Sequence, residues 1–218
     1  MRTKYDYLFF DLDGTLTDSG KGIMRSVAHA LRFFGIEESD DANLKRFVGP
    51  PLETSFSEFY GLNEEETHKA ISLYQERYKP IGVYENEPYE GIEECLQSLK
   101  DAGYRLVVAT SKPVDMAMKV LEHFNLKHYF EFIAARDMKG ILYSKADVIR
   151  YALKEHAVED INRVLMIGDR KFDVLGAREV GFDCVGVLYG YGDLDEMKRA
   201  NAKYVVGTVD ELKELLLQ

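Results

Sequence analysis

The chain has 218 residues, 46% hydrophobic and 30% charged, enough for one large domain or a domain carrying a smaller insert around a buried core. Its formal charge of -10 argues against an electrostatic nucleic-acid binder, and an anionic ligand would need local cations to offset the overall field. No apolar run nears the roughly 18 residues that cross a bilayer. The opening apolar stretch, Tyr7-Leu8-Phe9-Phe10, is too short for a signal-peptide core, and neither Cys95 nor Cys184 sits in a CxxC or CxxH pattern. A cytoplasmic protein with reduced thiols and no membrane partner is expected.

Tyr5 to Phe10 reads as a buried strand that stops at Asp11-Leu12-Asp13-Gly14. Ile23, Val27, Ala30, Leu31 and Phe34 then recur at helical spacing, and Gly35 closes that helix. Further helices are expected near Ala42 to Phe47, after Pro51-Leu52 and from Glu64 to Tyr78, separated by Gly49-Pro50-Pro51. From Gly91 onward the pattern alternates. Helices are expected at Gly91–Leu99, Val114–Phe124, Ser144–His156, Phe172–Val180 and Asp195–Ala200, with a last one closing the chain. Strands are expected at Arg105–Ala109, Phe130–Ala134, Arg163–Ile167, Asp183–Leu188 and Tyr204–Val206. Such alternation specifies a doubly wound parallel α/β sheet, here Rossmann-like, with an all-helical insertion after its first strand. The expected division is an α/β core of residues 1–15 and 84–218, and a helical cap of residues 16–83. Ligands of open α/β sheets bind at the carboxyl ends of the strands, where the insertion begins.

Four short segments fall at those strand ends: Asp11-Leu12-Asp13-Gly14-Thr15, Thr110-Ser111-Lys112, Lys145, and Gly168-Asp169-Arg170-Lys171-Phe172-Asp173. Asp11 and Asp13 suit metal binding or nucleophile-and-acid chemistry. A calcium loop is excluded, because Leu16 and Gly22 stand where it needs Gly and Glu. Asp169 and Asp173 read equally as helix caps or as hard oxygen ligands. Thr110 and Ser111 offer donors for phosphate oxygens, and Lys112 reads as a solvated lysine. Lys145 places a cation in the first turn of a helix, against the dipole, which points to a use for it.

In that order the segments resemble the haloacid dehalogenase superfamily over nearly the whole chain, including a helical cap of the type inserted after the first strand. The resemblance implies Asp11 as nucleophile and Asp13 as general acid and base. Thr110 and Lys145 would hold the transferring phosphoryl group, with Ser111 and Gly14 contributing. Mg²⁺ would be bound by Asp11, Asp169 and the Asp13 carbonyl, with Asp173 supporting. The dehalogenases of the superfamily lack the second carboxylate, so the resemblance points to a Mg²⁺-dependent phosphatase acting through an aspartyl-phosphate.

A mutase similar to β-phosphoglucomutase and a non-catalytic ligand-binding member are the alternatives. Arg46 to Leu52 resembles the phosphoglycolate phosphatase group; Thr110-Ser111-Lys112-Pro113 and Lys145 to Ile149 are similar to bacterial 5′-nucleotidases. The expected substrate is therefore a small phosphomonoester of one of those kinds. Arg46 and Gly49 are candidate contacts from the cap, with Lys45, Lys21, Tyr60 and Phe56 behind them. A monomer or weak homodimer is expected.

Overall fold

The structure, a computed structural model, describes residues 4–137 and 144–218. The chain divides into two compact units, one made of the residues up to Thr17 together with Pro88–Gln218, the other of Asp18–Glu87.

In chain order the elements begin with β1 (Tyr7–Phe10) and β2 (Thr17–Asp18). Four helices follow: α1 (Gly20–Phe33), α2 (Asp41–Lys45), α3 (Leu52–Tyr60) and α4 (Glu64–Tyr78). After β3 (Glu87–Pro88) come α5 (Ile92–Asp101), β4 (Arg105–Pro113), α6 (Val114–His123), β5 (Phe132–Arg136) and α7 (Lys145–Glu155). The chain ends with β6 (Val164–Gly168), α8 (Lys171–Val180), β7 (Asp183–Val187), α9 (Leu194–Ala200), β8 (Tyr204–Val206) and α10 (Val209–Leu217).

The larger unit is built on a six-stranded sheet of order β5-β4-β1-β6-β7-β8, every pairing parallel. From β1 the chain builds outward through β4 to β5, then returns to the other side of β1 with β6. The strand order therefore reverses at β1, and in open α/β sheets the carboxyl edge beside such a reversal is the binding crevice. Side chains alternate along each strand. Phe9, Val107, Ala109, Met166 and Cys184 pack in one cluster with Val148, Ile149 and Ala152 of α7 and Val174 and Ala177 of α8. Their strand neighbours Leu8, Phe10, Leu106, Val108 and Ile167 are also buried, so both faces of the sheet are covered. Burial on both sides is why these strands read as continuous apolar runs.

The smaller unit is helical because its apolar residues repeat at helical spacing. Val27, Ala30 and Leu31 of α1 are buried, as are Ala70, Tyr74 and Tyr78 of α4. Phe47 packs edge-on to Phe56, with ring centroids 4.9 Å apart, and to Phe59 at 5.4 Å. α4 opens on a reciprocal cap: Asn63 accepts from the Glu66 amide, and the Glu66 carboxylate accepts from the Asn63 amide.

Candidate active site

All four motifs predicted from sequence lie in the larger unit, at the carboxyl ends of β1, β4 and β6 or at the start of a helix that follows a strand. β1 ends at Phe10, and the Asp11 amide still donates to the Ile167 carbonyl (2.9 Å), which keeps Asp11 in register beside β6. The chain then folds tightly on itself. The amides of Leu16 and Thr17 donate to the Leu12 carbonyl, and the Gly14 amide donates to the Thr17 carbonyl. Gly14 adopts φ +82°, and a Cβ there would lie 2.1 Å from Asp169 Oδ2. Conformation and space both demand glycine at this position.

Asp11, Asp169 and Asp173 come together, one carboxylate oxygen from each lying within 4.8 Å of the others. All three residues are buried. Lys145 reaches into this group, its Nζ standing 2.9 Å from Asp11 Oδ1 and 2.8 Å from Asp173 Oδ1, and it donates to the Ala109 carbonyl at 3.0 Å. The cation against the dipole of α7 is thereby explained. Ser144 and Asp147 cap the helix reciprocally, while the Lys145 side chain turns inward to the carboxylates. Room for its stem comes from Gly176 inside α8, where a Cβ would lie 2.8 Å from Lys145 Cγ.

Three buried carboxylates facing one ammonium leave an excess of negative charge. Burial, then the charges of Asp173 and Asp11, push the Asp169 carboxyl well above the usual range. Burial also raises Asp173, to about 6, although Lys145 pulls the other way. For Lys145 burial opposes the charge, but Asp11 and Asp173 outweigh it and hold the ammonium above its ordinary value. Asp169 is further held by the Tyr191 amide, 2.8 Å from Oδ2, and faces the Thr15 hydroxyl at 3.5 Å. Asp173 serves the cap of α8, one oxygen accepting from the Arg170 amide at the start of that helix (3.1 Å), while its other oxygen meets Lys145.

Asp13 is placed differently. Its carboxylate is outside the cluster of three, and both oxygens are gripped by Lys112 Nζ at 2.8 and 2.9 Å. This corrects the reading of Lys112 as a solvated lysine, since the residue is buried. Thr110 is buried on β4, its hydroxyl oxygen accepting from the Lys112 amide (3.2 Å); Ser111 follows it, half-buried. Arg46 and Gly49 belong to the smaller unit; Arg46 is exposed, with its guanidinium 3.7 Å from the Phe59 ring centroid, and Gly49 has φ +104°. Phe56, named above among the candidate contacts from the cap, is fully buried in that unit's core and offers no surface for one; Tyr60 donates to Glu38.

The segment after β7 also belongs to this site, although its residues carry no charge that marks them in the sequence. A Cβ on Gly190 would lie 2.2 Å from the Gly14 carbonyl oxygen, and one on Gly192 would lie 2.0 Å from the Asp169 carbonyl oxygen. The Tyr189 hydroxyl donates to the Thr15 carbonyl at 3.1 Å. The repeated Gly in Tyr189-Gly190-Tyr191-Gly192 was the available signal, because isolated glycines beside a strand end mark close backbone approach.

Clustered carboxylates and two buried lysines thus meet at the switch point of an open parallel sheet. Residues 8–187 match the family described as haloacid dehalogenase-like hydrolase. The 5′-nucleotidase of Pseudomonas aeruginosa is 39% identical over 213 residues, covering 98% of this chain and 96% of that protein. Tyrosine-protein kinase PtkA of Mycobacterium tuberculosis is 39% identical over 211 residues, covering 96% of this chain and 72% of that protein. A crystal structure of a predicted phosphatase from Clostridium acetobutylicum superposes with a TM-score of 0.93 at 47% identity, covering 97% of each chain. The chain belongs to the haloacid dehalogenase-like hydrolases and is a phosphatase-type enzyme of that family. Among the described residues, no helix is long and apolar enough to cross a membrane.

Proposed function

We propose that this enzyme hydrolyses a small phosphomonoester, of the nucleoside 5′-monophosphate or phosphoglycolate type, through an aspartyl-phosphate on Asp11. The observation that carries the reading is the separation of two carboxylates two residues apart. Asp11 lies 2.9 Å from Lys145 inside the acidic cluster, while Asp13 is bound apart from it by Lys112. Each carboxylate has an ammonium of its own, which supports reading Asp11, inside the cluster, as the nucleophile and Asp13, outside it, as the group that carries the proton.

The donor set fits magnesium: three carboxylate oxygens within 4.8 Å of one another are hard ligands of the kind that ion takes. Asp11, Asp169 and Asp173 would hold it, together with the Asp13 carbonyl. When bound, Mg²⁺ neutralises phosphate charge near Asp11. An Asp11 oxygen attacks phosphorus as the bond to the leaving oxygen breaks, and Asp13 gives that oxygen its proton. Water then attacks the phosphorus of the aspartyl-phosphate, Asp13 takes the water's proton, and phosphate departs with Asp11 restored. Lys145 reduces the repulsion between two anions, which at about 4 Å reaches several kcal/mol for each unit pair at an effective dielectric of 20. Thr110, Ser111 and the Gly14 backbone are the expected phosphate donors, and Arg46 and Gly49 the expected contacts from the helical insertion.

The nucleoside 5′-monophosphate class is supported by the relative named 5′-nucleotidase; the phosphoglycolate class rests on the Arg46 to Leu52 segment. Phosphate release from nucleoside 5′-monophosphates, 2-phosphoglycolate, sugar phosphates and a phosphotyrosine mimic, with Mg²⁺ and with EDTA, tests the reading. Metal-dependent release with one clear favourite, abolished in Asp11→Asn, is expected. Release in EDTA, or turnover surviving in Asp11→Asn, overturns it.

A further inference from the structure

Lys112 is a second buried ammonium at this site, and its side chain is only 4% exposed. Immobilising and burying a lysine costs rotamer entropy and desolvation, so the contact it makes must be worth more than a surface pair. Among its contacts is the Asp13 carboxylate, held through both oxygens at 2.8 and 2.9 Å. Backbone geometry explains how the side chain gets there. Strand β4 pairs regularly with β5 as far as Thr110, and the register then shifts before Pro113. The Lys112 amide is turned onto the Thr110 hydroxyl within this irregular stretch. Bulges of this kind re-aim side chains beside active sites.

The two lysines divide the two carboxylates. Lys145 stands on Asp11 and Asp173; Lys112 stands on Asp13. We propose that Lys112 is a positioning residue for Asp13, fixing the direction of that carboxyl so that one of its oxygens meets the oxygen leaving phosphorus. The proposal rests on Asp13 being the general acid. During the step the P–O bond to the leaving group breaks, the new bond to Asp11 forms, and the Asp13 proton moves to the leaving oxygen. Lys112 neither takes nor gives a proton; of its two contacts with Asp13 it gives up the one to the oxygen that carries the proton and keeps the one to the other oxygen. A misplacement of about 1 Å in such a group costs up to 100-fold in rate, so losing the lysine should be felt mainly where the acid is needed.

Leaving-group dependence tests this. p-Nitrophenolate departs without help from an acid, whereas an alkoxide does not. kcat/KM, which reports the first phosphoryl transfer, is measured with Mg²⁺ on p-nitrophenyl phosphate and on an alkyl phosphate such as a nucleoside 5′-monophosphate. The set is wild type, Lys112→Met, Lys112→Arg and Asp13→Asn, each checked by thermal melting. General acids contribute about 10²–10⁴-fold. Lys112→Met is therefore expected to lose at least 10-fold more on the alkyl ester than on the aryl ester, Asp13→Asn to show the same selectivity more strongly, and Lys112→Arg to recover part of the loss. Equal losses on both esters for Lys112→Met, with Asp13→Asn still selective, overturn the proposal and place the lysine on the phosphate or in the scaffold. Absence of selectivity in Asp13→Asn removes Asp13 as the acid and the proposal with it. If Lys112→Met does not fold, Lys112→Arg and Lys112→Gln carry the same comparison.

Discussion

Gly190 lies against Asp169 so closely that a methyl group on its Cα would be 2.4 Å from Asp169 Cβ and 2.6 Å from Oδ2. The same methyl would meet the Gly14 carbonyl oxygen at 2.2 Å, a backbone atom that cannot rotate away. The loop after β7 therefore sets how far Asp169 can stand from Asp11.

Gly190→Ala should displace the Asp169 carboxylate and weaken the hydrogen bond from the Tyr191 amide. Overpacking of this kind costs about 1–3 kcal/mol of stability, and disturbing the support of a metal ligand typically costs 10–100-fold in metal affinity. We expect the Mg²⁺ concentration for half-maximal activity to rise by at least 10-fold. A variant with unchanged Mg²⁺ dependence would show that the loop merely fills space.

Gly176→Ala opposes two effects. In a helix interior alanine is favoured over glycine by about 1 kcal/mol, so propensity alone predicts a gain. A Cβ at this position, however, would stand 2.8 Å from Lys145 Cγ and 3.0 Å from Lys145 Cβ, the rigid start of the side chain. The steric term should win, leaving a net loss of about 1–2 kcal/mol and a fall in kcat as Lys145 leaves Asp11. A higher urea midpoint with full activity would show that α8 can shift to make room.

These glycines also mark where sequence reading stopped. Aspartates and strands are legible because they follow simple patterns: Asp11 and Asp169 directly follow the apolar runs of β1 and β6, with Asp13 and Asp173 two and four residues further on, and Gly20–Phe33 carries a clear helical period. Lys112 looked like any lysine before a proline, because the irregularity that turns it inward depends on pairing with β5. Gly176 and Gly190 have no side chain to announce a role; their meaning lies in the neighbour that approaches. Element ends were also less legible than element centres, as in β5, expected from Phe130 and found from Phe132.

His156 gives the stability a pH dependence away from the site. Its Nδ1 lies 3.1 Å from Arg105 Nη2, and Arg105 also donates to Glu131 (2.9 Å) and to the Tyr7 hydroxyl (2.5 Å). A guanidinium can only donate, so Nδ1 accepts and the ring is neutral. Burial, then the charge of Arg105, lower the His156 pKa, with Glu131 at 4.0 Å opposing. The unfolded chain, with a histidine pKa of about 6.5, therefore binds the proton more readily than the native state. Stability is complete above that value and declines as pH falls through the native one. Urea midpoints of wild type should drop between pH 7 and 5.5 more than those of His156→Gln. Parallel curves would remove His156 as the cause.

Asp169→Asn separates stability from function in a single substitution. In the protein without metal, Asp169 is a buried carboxylate beside Asp11 and Asp173, and burial and their charges disfavour its ionised form. Asparagine keeps the shape and still accepts from the Tyr191 amide, while removing one of the like charges. Relief of that repulsion is worth on the order of a few kcal/mol at the effective dielectric of a protein site. For a chain of this size each kcal/mol moves Tm by about 2–4 °C. In EDTA the variant should melt several degrees above wild type. Added Mg²⁺ should raise the Tm of wild type, because an ion that binds only the native state stabilises it by mass action, and should leave the variant unmoved. Phosphatase activity should be lost. A variant that melts lower in EDTA would mean that the carboxylates are held together by more than they repel, and a Mg²⁺ shift retained in the variant would place the ion elsewhere.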